Sequence, residues 1–401
     1  MKHSRLFVLI PFIIFISCVE KNDVPEKHWF KGNLHTHSYW SDGDEFPEVV
    51  MDWYKSNDYQ FVALTDHNTL AEGNKWKVIA KDSIYQNSFK NYLKNYGTDW
   101  VNYKVDSLNR TQVKLKTYEE YRGLSEENEK FLIIQSEEIT DSYDGKPLHM
   151  NATNTRKPIG PQGGNSVAEV LQNNLDAVKK QSTELDVPMI AHVNHPNFYY
   201  AISLEDMIAL KDERYFEIYN GHAAVHNSGD SIHMSTENMW DMINIAYTSE
   251  NKPLMYGIAT DDAHHYHRKG RQWSNAGRGW IEVRSDSLNP RSLIAAMDTG
   301  DFYASTGVEL KDVVADHNKL SITVNPEEGV TYEIAFIGYK KGKTEPEKLK
   351  TSTGTEASFE LTDDLVFIRC KITSSKLHAN PIEDLLYETA WTQPVLISKN
   401  Q

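Results

Sequence analysis

The sequence predicts an α/β chain: a parallel β/α architecture over residues 30–285, then a small antiparallel β-unit from residue 308. Three observations point there. Apolar runs alternate with helix-like segments through the first region. Histidines and carboxylates gather at the ends of those runs. After residue 308 the pattern turns to short alternating, β-branched runs broken by Gly, Pro and charged turns.

Seven strand candidates come first, at 30–36, 60–65, 131–136, 148–153, 187–192, 214–219 and 253–259. Helices fit between them. Residues 47–57 begin with Pro47 at a first-turn position. Residues 166–182 begin at Ser166 with Glu169 three later, a capping-box spacing. Residues 203–211 and 235–247 open with Ser-Leu-Glu-Asp and Ser-Thr-Glu-Asn. Residues 71–130 form an insertion rich in Lys, Asn, Tyr and Glu without a strand pattern of its own. It reads as helical excursions, either a lid over the site or a solvated surface pair. Trp280–Val283 supplies one more strand, and Pro290–Met297 a helix ended by Gly300. Beyond 308, Leu320–Val324, Tyr332–Phe336 and Val366–Ile368 read as strands of a sandwich-like unit, there to bind or to pack on the first.

The N-terminus reads as a targeting segment. Lys2 and Arg5 precede an apolar run, Leu6–Ile16, about half the length that spans a bilayer. Ser17-Cys18 closes it like a bacterial lipoprotein cleavage site, making Cys18 the lipidated residue of a cell-envelope protein, periplasmic or outer-membrane. The alternative is a plain secretory signal with an incidental cysteine. Residues 19–28 then form a polar tether. With Cys18 processed only Cys370 remains, which leaves no intramolecular disulfide.

The chain carries a net charge of −15, and removing Lys2 and Arg5 with the leader takes it to −17. No Lys/Arg stripe interrupts that excess, so nucleic acid is a poor partner. A small anionic substrate stays admissible where bound cations supply local positive charge. Gly-x-Ser-x-Gly, a Walker loop and a Rossmann glycine run are all absent.

The histidine clusters are where chemistry concentrates. His35 and His37 stand two apart, so on an extended strand they face one way. Asp42 follows in Ser-Asp-Gly, His67 in Thr-Asp-His, Glu138 in Glu-Glu-Ile-Thr, His149 in Leu-His-Met and His192 in Ile-Ala-His. Asp262 and His264 close the series in Asp-Asp-Ala-His. Imidazole with carboxylate suits zinc, iron and manganese. Each cluster is placed at the C-terminal end of a strand candidate, where β/α folds build active sites.

In this order the motifs resemble those of the PHP (polymerase and histidinol phosphatase) family, from about residue 30 to 310. The resemblance implies a distorted seven-stranded (β/α) TIM-like barrel over 29–307, with two to three divalent ions at its strand ends and phosphoesterase activity. Carried across, it implies one ion on His35, His37, Glu138 and Asp262. A second would take Glu138, His149 and His192, and a third Asp42, His67 and His264. Many relatives have histidine where this chain has Asp42. His264, Asp262 and His192 are the candidate catalytic residues, with His264 beside the departing oxygen. Glu138 follows from the Glu-Ile-Thr pattern; a one-residue register slip would exchange it with Glu137. Asp66 is expected to shape the loop or orient a ligand.

Arg268, Arg271 and Arg278 lie close behind the last motif. Arg278 and Arg268, with Asn194, are the substrate-binding candidates, since guanidinium offers a planar fork for phosphate. His222, His226 and His233 read as surface or substrate-contact groups, and His195 as a strand-end cap. Two other functions keep the same residues: hydrolysis of carbamate or carboxylic esters, and a non-catalytic lipid-anchored protein that binds metal or glycan.

Overall fold

The computed structural model describes residues 26–382 and 385–397. The 1–18 leader, Cys18 and the tether up to residue 25 lie outside the described residues. In chain order the elements are β1 (His28–Asn33), α1 (Pro47–Ser56), β2 (Phe61–Leu64), β3 (Trp76–Val78), α2 (Ser83–Tyr96), β4 (Tyr103–Val105) and β5 (Thr111–Lys114). Next come α3 (Tyr118–Ser125), β6 (Leu132–Tyr143), β7 (Lys146–Thr153), α4 (Val167–Leu185), β8 (Ile190–Val193), α5 (Leu204–Ala209), β9 (Tyr215–Asn220), α6 (Thr236–Ser249) and β10 (Tyr256–Thr260). The remainder is β11 (Trp280–Ser285), α7 (Pro290–Asp298), β12 (Phe302–Ser305), β13 (Leu310–Ala315), β14 (Lys319–Val324), β15 (Tyr332–Lys340), β16 (Glu347–Thr353), β17 (Glu356–Glu360), β18 (Leu365–Leu377), β19 (Tyr387–Thr392) and β20 (Val395–Leu396).

The strands expected at the seven apolar runs stand side by side in chain order, β1-β2-β6-β7-β8-β9-β10. Just past the two outer members a parallel bridge, Thr36 to Ala263, draws the ends of the row together. The row is not wholly parallel, as the sequence had led us to expect. β7 runs antiparallel to both β6 and β8. The cause is the connection: β6 and β7 are joined by the two-residue turn Asp144-Gly145, both at positive φ, which allows only a hairpin. The other connections carry the helices. Their starts are capped as read, with Ser166, Ser203 and Ser235 accepting from Glu169, Asp206 and Asn238 backbone N–H groups, and Pro47 and Pro290 opening α1 and α7.

Buried apolar side chains fill both faces of the row. Leu34, Phe61, Ala63, Ile134 and Ile258 lie in one cluster, which α7 covers with Leu293, Ile294 and Met297. Val170, Leu171 and Leu175 of α4 and Trp240 and Ile243 of α6 meet Val193 and Phe216 in another.

The 71–130 insertion is not only helical. Besides α2 and α3 it holds a three-stranded antiparallel sheet, β3-β5-β4. Strands of three or four residues are too short for a period-two signal, and Lys77 and Lys104 lie over the Tyr39 and Trp76 rings, which hides apolar surface under charged residues. No helix among the described residues is long and apolar enough to cross a membrane.

The antiparallel part beyond residue 308 is joined edge to edge with the first. β11 pairs β1, β12 pairs β11, and β19 pairs β12, so one sheet runs from β10 through to β16. A second sheet, β13-β14-β17, covers it, with Leu320, Ile322, Ile334, Phe336, Cys370 and Ile372 between the layers.

Candidate metal centre

The backbone past β1 is stitched on both sides. Asp262 N–H donates to the His35 carbonyl (3.0 Å), His37 N–H to Ala263 (2.9 Å), and Thr65 N–H to Thr36 (2.9 Å). His35 and His37 therefore point together, while Asp262 is held at φ +47° beside them. His67 and Glu138 meet across a second parallel bridge. His149 lies inside β7 rather than closing a strand; the antiparallel pairing sets it opposite Thr140, two residues past Glu138 on β6.

Four donors converge at the floor. Asp262 Oδ1 lies 3.3 Å from both His35 Nε2 and His37 Nε2, and Glu138 Oε2 lies 3.5 and 3.3 Å from the same two atoms. His35 Nε2, His37 Nε2 and Glu138 Oε2 are buried without hydrogen-bond partners. Ligands about 2.1 Å from a tetrahedral ion stand roughly 3.4 Å apart, so these orphaned atoms fit a cation in their midst. Further out, Glu138 also meets His67 Nδ1 (2.9 Å) and His149 Nδ1 (3.0 Å). At the surface Asp42 Oδ1 faces His264 Nε2 at 3.3 Å and His67 Nε2 at 3.5 Å, with His37 Nδ1 at 3.8 Å. Five overlapping groups among the described residues could hold an ion: His35/His37/Glu138, with Asp262 beside them; His67/Glu138/His149; His37/Asp42/His67/His264; His35/His195/Asp262; and His35/His192/Glu217.

The electrostatics carry the same message. Burial would lower His35, yet Asp262, Glu138 and Glu217 raise its pKa well above the usual value. His37 is pushed down to about 3, by burial and then by His264. Burial would raise Asp262 and Glu138, but the surrounding imidazoles keep both well below the usual carboxylate range. The imidazoles and the carboxylates hold one another's charge in this buried site, and divalent ions would take over that role from the protons on the rings.

Supporting groups fix these donors. Glu217 Oε1 accepts from His35 Nδ1 and from Thr260 Oγ1, both at 2.7 Å, which leaves His35 Nε2 aimed into the cage. Asn194 Nδ2 donates to Glu138 Oε1 (2.7 Å) and Asn220 Nδ2 to Asp262 Oδ2 (3.1 Å). Asp66 accepts from Ser38 N–H, Ser38 Oγ and Ser41 Oγ, shaping the loop under Asp42. Glu137 points the other way and takes the Ile159 N–H at 2.6 Å, so the register places Glu138 in the site.

The structure places His192, His195 and Arg278 elsewhere than expected. His192 does not join Glu138 and His149; its Nε2 lies deeper, 3.5 Å from Glu217 and 3.3 Å from the Asn151 amide. His195 enters the site instead and groups with His35 and Asp262, its Nε2 3.6 Å from Glu138 Oε1 and 3.9 Å from Asp262 Oδ2. β8 stops at Val193, and a positive φ at His195 turns the ring into the cavity. Arg278 is buried and spends its guanidinium on the carbonyls of Gly221, Gly270, Trp273 and Asn380 and on the Asn380 amide, so no N–H remains for substrate. Arg268 pairs with Asp82 of the insertion and lies over Trp273, and Asn194 is a buried support for Glu138.

Sequence reading missed Glu217, for which a single carboxylate inside the apolar run Tyr-Phe-Glu-Ile-Tyr was the available sign. His222, read as a surface or substrate-contact group, stands in the cleft wall. The cleft above the cage has a volume of about 390 Å³ and includes His149, His195, Phe198, His222 and His265 in its wall; among the described residues no Lys or Arg lines it.

Fold and site together define a mixed α/β protein whose clustered imidazoles and carboxylates suit divalent metal ions. No protein-family model and no curated protein matches the chain. Among solved structures it is similar to a two-domain protein containing a predicted PHP-like metal-dependent phosphoesterase from Bacteroides vulgatus, at 13% identity and TM-score 0.39, covering 93% of this chain and 97% of that one. A proposed metal-dependent phosphoesterase from Bifidobacterium adolescentis follows, at 12% and 0.34, covering 63% and 94%. An amidohydrolase from Chromobacterium violaceum, with bound sulfate and no metal, gives 11% and 0.31, covering 61% and 90%. At such identities and scores, function rests on the donors of this chain itself.

Proposed function

We propose that this chain is a metal-dependent hydrolase of the PHP kind, acting on a small phosphate ester. On this reading β1, β2 and β6–β10 make the distorted seven-stranded barrel, and two to three divalent ions (Zn, Mn or Fe) sit in the cage. The observation that carries the reading is the set of orphaned His35, His37 and Glu138 atoms packed around Asp262. Divalent ions held there supply Lewis acidity and a source of hydroxide near neutral pH. The second ion group takes His67, Glu138 and His149.

The protein's own groups orient and donate. Glu217 and Asn194 hold His35 and Glu138 at fixed angles. His222 Nδ1 accepts the Ala224 N–H (3.1 Å), which leaves its proton on Nε2. Burial lowers its pKa to about 4 against the pull of Asp262, so at neutral pH it is an uncharged donor in the cleft wall. It is suited to donate to a substrate oxygen; His264, with Nδ1 on the Asp262 carbonyl, would turn Nε2 to an ion beside Asp42. The leader, with Cys18 lipidated, puts the protein in the bacterial cell envelope.

The decisive assay loads purified protein with Zn, Mn or Fe, measures bound metal, and offers phosphomonoesters and diesters. Turnover abolished by a chelator is expected; its absence in metal-loaded protein overturns the proposal. The absence of Lys and Arg from the cleft wall favours a second reading, hydrolysis of carbamate or carboxylic esters. Those esters belong in the same panel.

A further inference from the structure

Tyr199 and Tyr200 both stand at φ +51°, a conformation bulky side chains seldom adopt. Consecutive residues of this kind persist only where surrounding contacts over-determine them, and such outliers gather at functional sites. Here the contacts are plain. Phe198 N–H donates to the His195 carbonyl (2.8 Å) and Ala201 N–H to Phe198 (3.2 Å). The Asn197 amide ties the turn to the carbonyls of His226 (2.8 Å) and Met234 (3.0 Å) on the facing loop. The Tyr200 ring stacks on His233, 3.7 Å between centroids and 9° between planes, with His226 parallel at 5.3 Å.

This clamp on Tyr200 leaves Tyr199 facing out, 74% exposed. Its ring neighbour among the described residues is Phe198, at 4.6 Å. Phe198 in turn lines the cleft, edge-on to His195 (5.0 Å) and His222 (5.7 Å). A chain of rings therefore runs from the metal cage to solvent. No Lys or Arg of the described residues lines the wall around it, so what the cleft offers a ligand beyond the cage is ring surface and imidazole N–H groups rather than a second charge.

We infer that Phe198 and Tyr199 form a subsite for a planar aromatic group carried on the alcohol side of the ester. The inference rests on the hydrolase reading for the reaction but not for binding. In the reaction, the water oxygen bonds to phosphorus and the P–O bond to the alcohol breaks with its electron pair on the alcohol oxygen. A proton from water ends there, giving an aromatic alcohol and phosphate. The ring stays in the subsite throughout and anchors the departing group.

Binding tests this apart from turnover. Benzylphosphonate and cyclohexylmethylphosphonate, which cannot be hydrolysed, are titrated calorimetrically into the metal-loaded full chain. We expect benzylphosphonate to bind at least fivefold more tightly. Tyr199→Ala should remove that preference while Tyr199→Phe retains it, and neither exposed-site change should alter metal content. Equal affinities, or a preference indifferent to Tyr199→Ala, overturn the inference. In parallel, benzyl and cyclohexylmethyl phosphate are assayed for hydrolysis, where Tyr199→Ala should raise KM for the benzyl ester alone and leave kcat within about twofold. Preferential binding without turnover of either ester would keep the subsite and sink the phosphate-ester reading.

Discussion

The floor of the cleft and its mouth are held in place by different means. At the floor His35, His37, Asp262 and Glu138 sit on strands or on backbone bonded directly to strands, and Glu217 and Asn194 grip two of them from behind. At the mouth Phe198, Tyr199 and His222 ride on loops, in a turn whose residues 195, 199 and 200 have positive φ and whose anchor is side-chain stacking. Donors that must share an ion tolerate little displacement, so ladders carry them. Groups that choose among ligands are set by loops, which vary without disturbing the ladders.

The sharpest way to break this contrast is at the floor. Asp262→Asn and Glu138→Gln each weaken an oxygen that faces both His35 and His37. Bound metal should fall with each, and turnover should drop by on the order of a thousandfold, losing an ion's contribution of several kcal/mol. If elemental analysis finds metal retained and activity near wild type, the floor is not a metal cage.

A smaller effect belongs to the supports. Glu217→Gln and Asn194→Ala touch no proposed ion yet free His35 and Glu138 to turn. Metal affinity should weaken by about 10–100-fold, read as the chelator concentration that strips half the metal. Changes at Tyr199 should leave that concentration where it was; an equal shift there would erase the distinction between floor and mouth.

The smallest expected effect tests the back of the same strand. Burial raises the Glu137 carboxyl to about 7, with the Ile159 N–H pulling the other way. The unfolded chain releases this proton near 4.5 and the folded chain near 7, so this group's contribution to stability is greatest below pH 4.5, declines between those values and levels off above. Glu137→Gln should therefore be close to neutral at pH 4.5 and stabilising at pH 8, as urea midpoints at the two pH values would show. An identical difference at both removes Glu137 from the list of buried protonated acids.

What could be read from the sequence follows the same division. The two-residue spacing of His35 and His37, the Ser-Asp-Gly loop and the Asp-Ala-His run lie on or beside strands, so local pattern implied their position. The seven apolar runs and the serine caps were legible for that reason too. His195 was mistaken for a cap because the end of β8 and a positive φ, not spacing, decide whether residue 192 or 195 enters the cleft. Arg278 was misplaced because an arginine near a site looks the same whether it meets substrate or carbonyls from distant loops. The reversal of β7 was written in Asp144-Gly145, a turn signal too brief to outweigh the alternation around it.

Arg278 has a bearing on the whole molecule. Its guanidinium fastens Gly221, next to His222, and Gly270 and Trp273, just past His264 and His265, to Asn380 in the last third of the chain. The same third lends β19 as a neighbour to β12. The trailing sandwich is thus a keystone for the rim, and a chain ended at residue 307 would surrender both the clasp and the cover of that strand together.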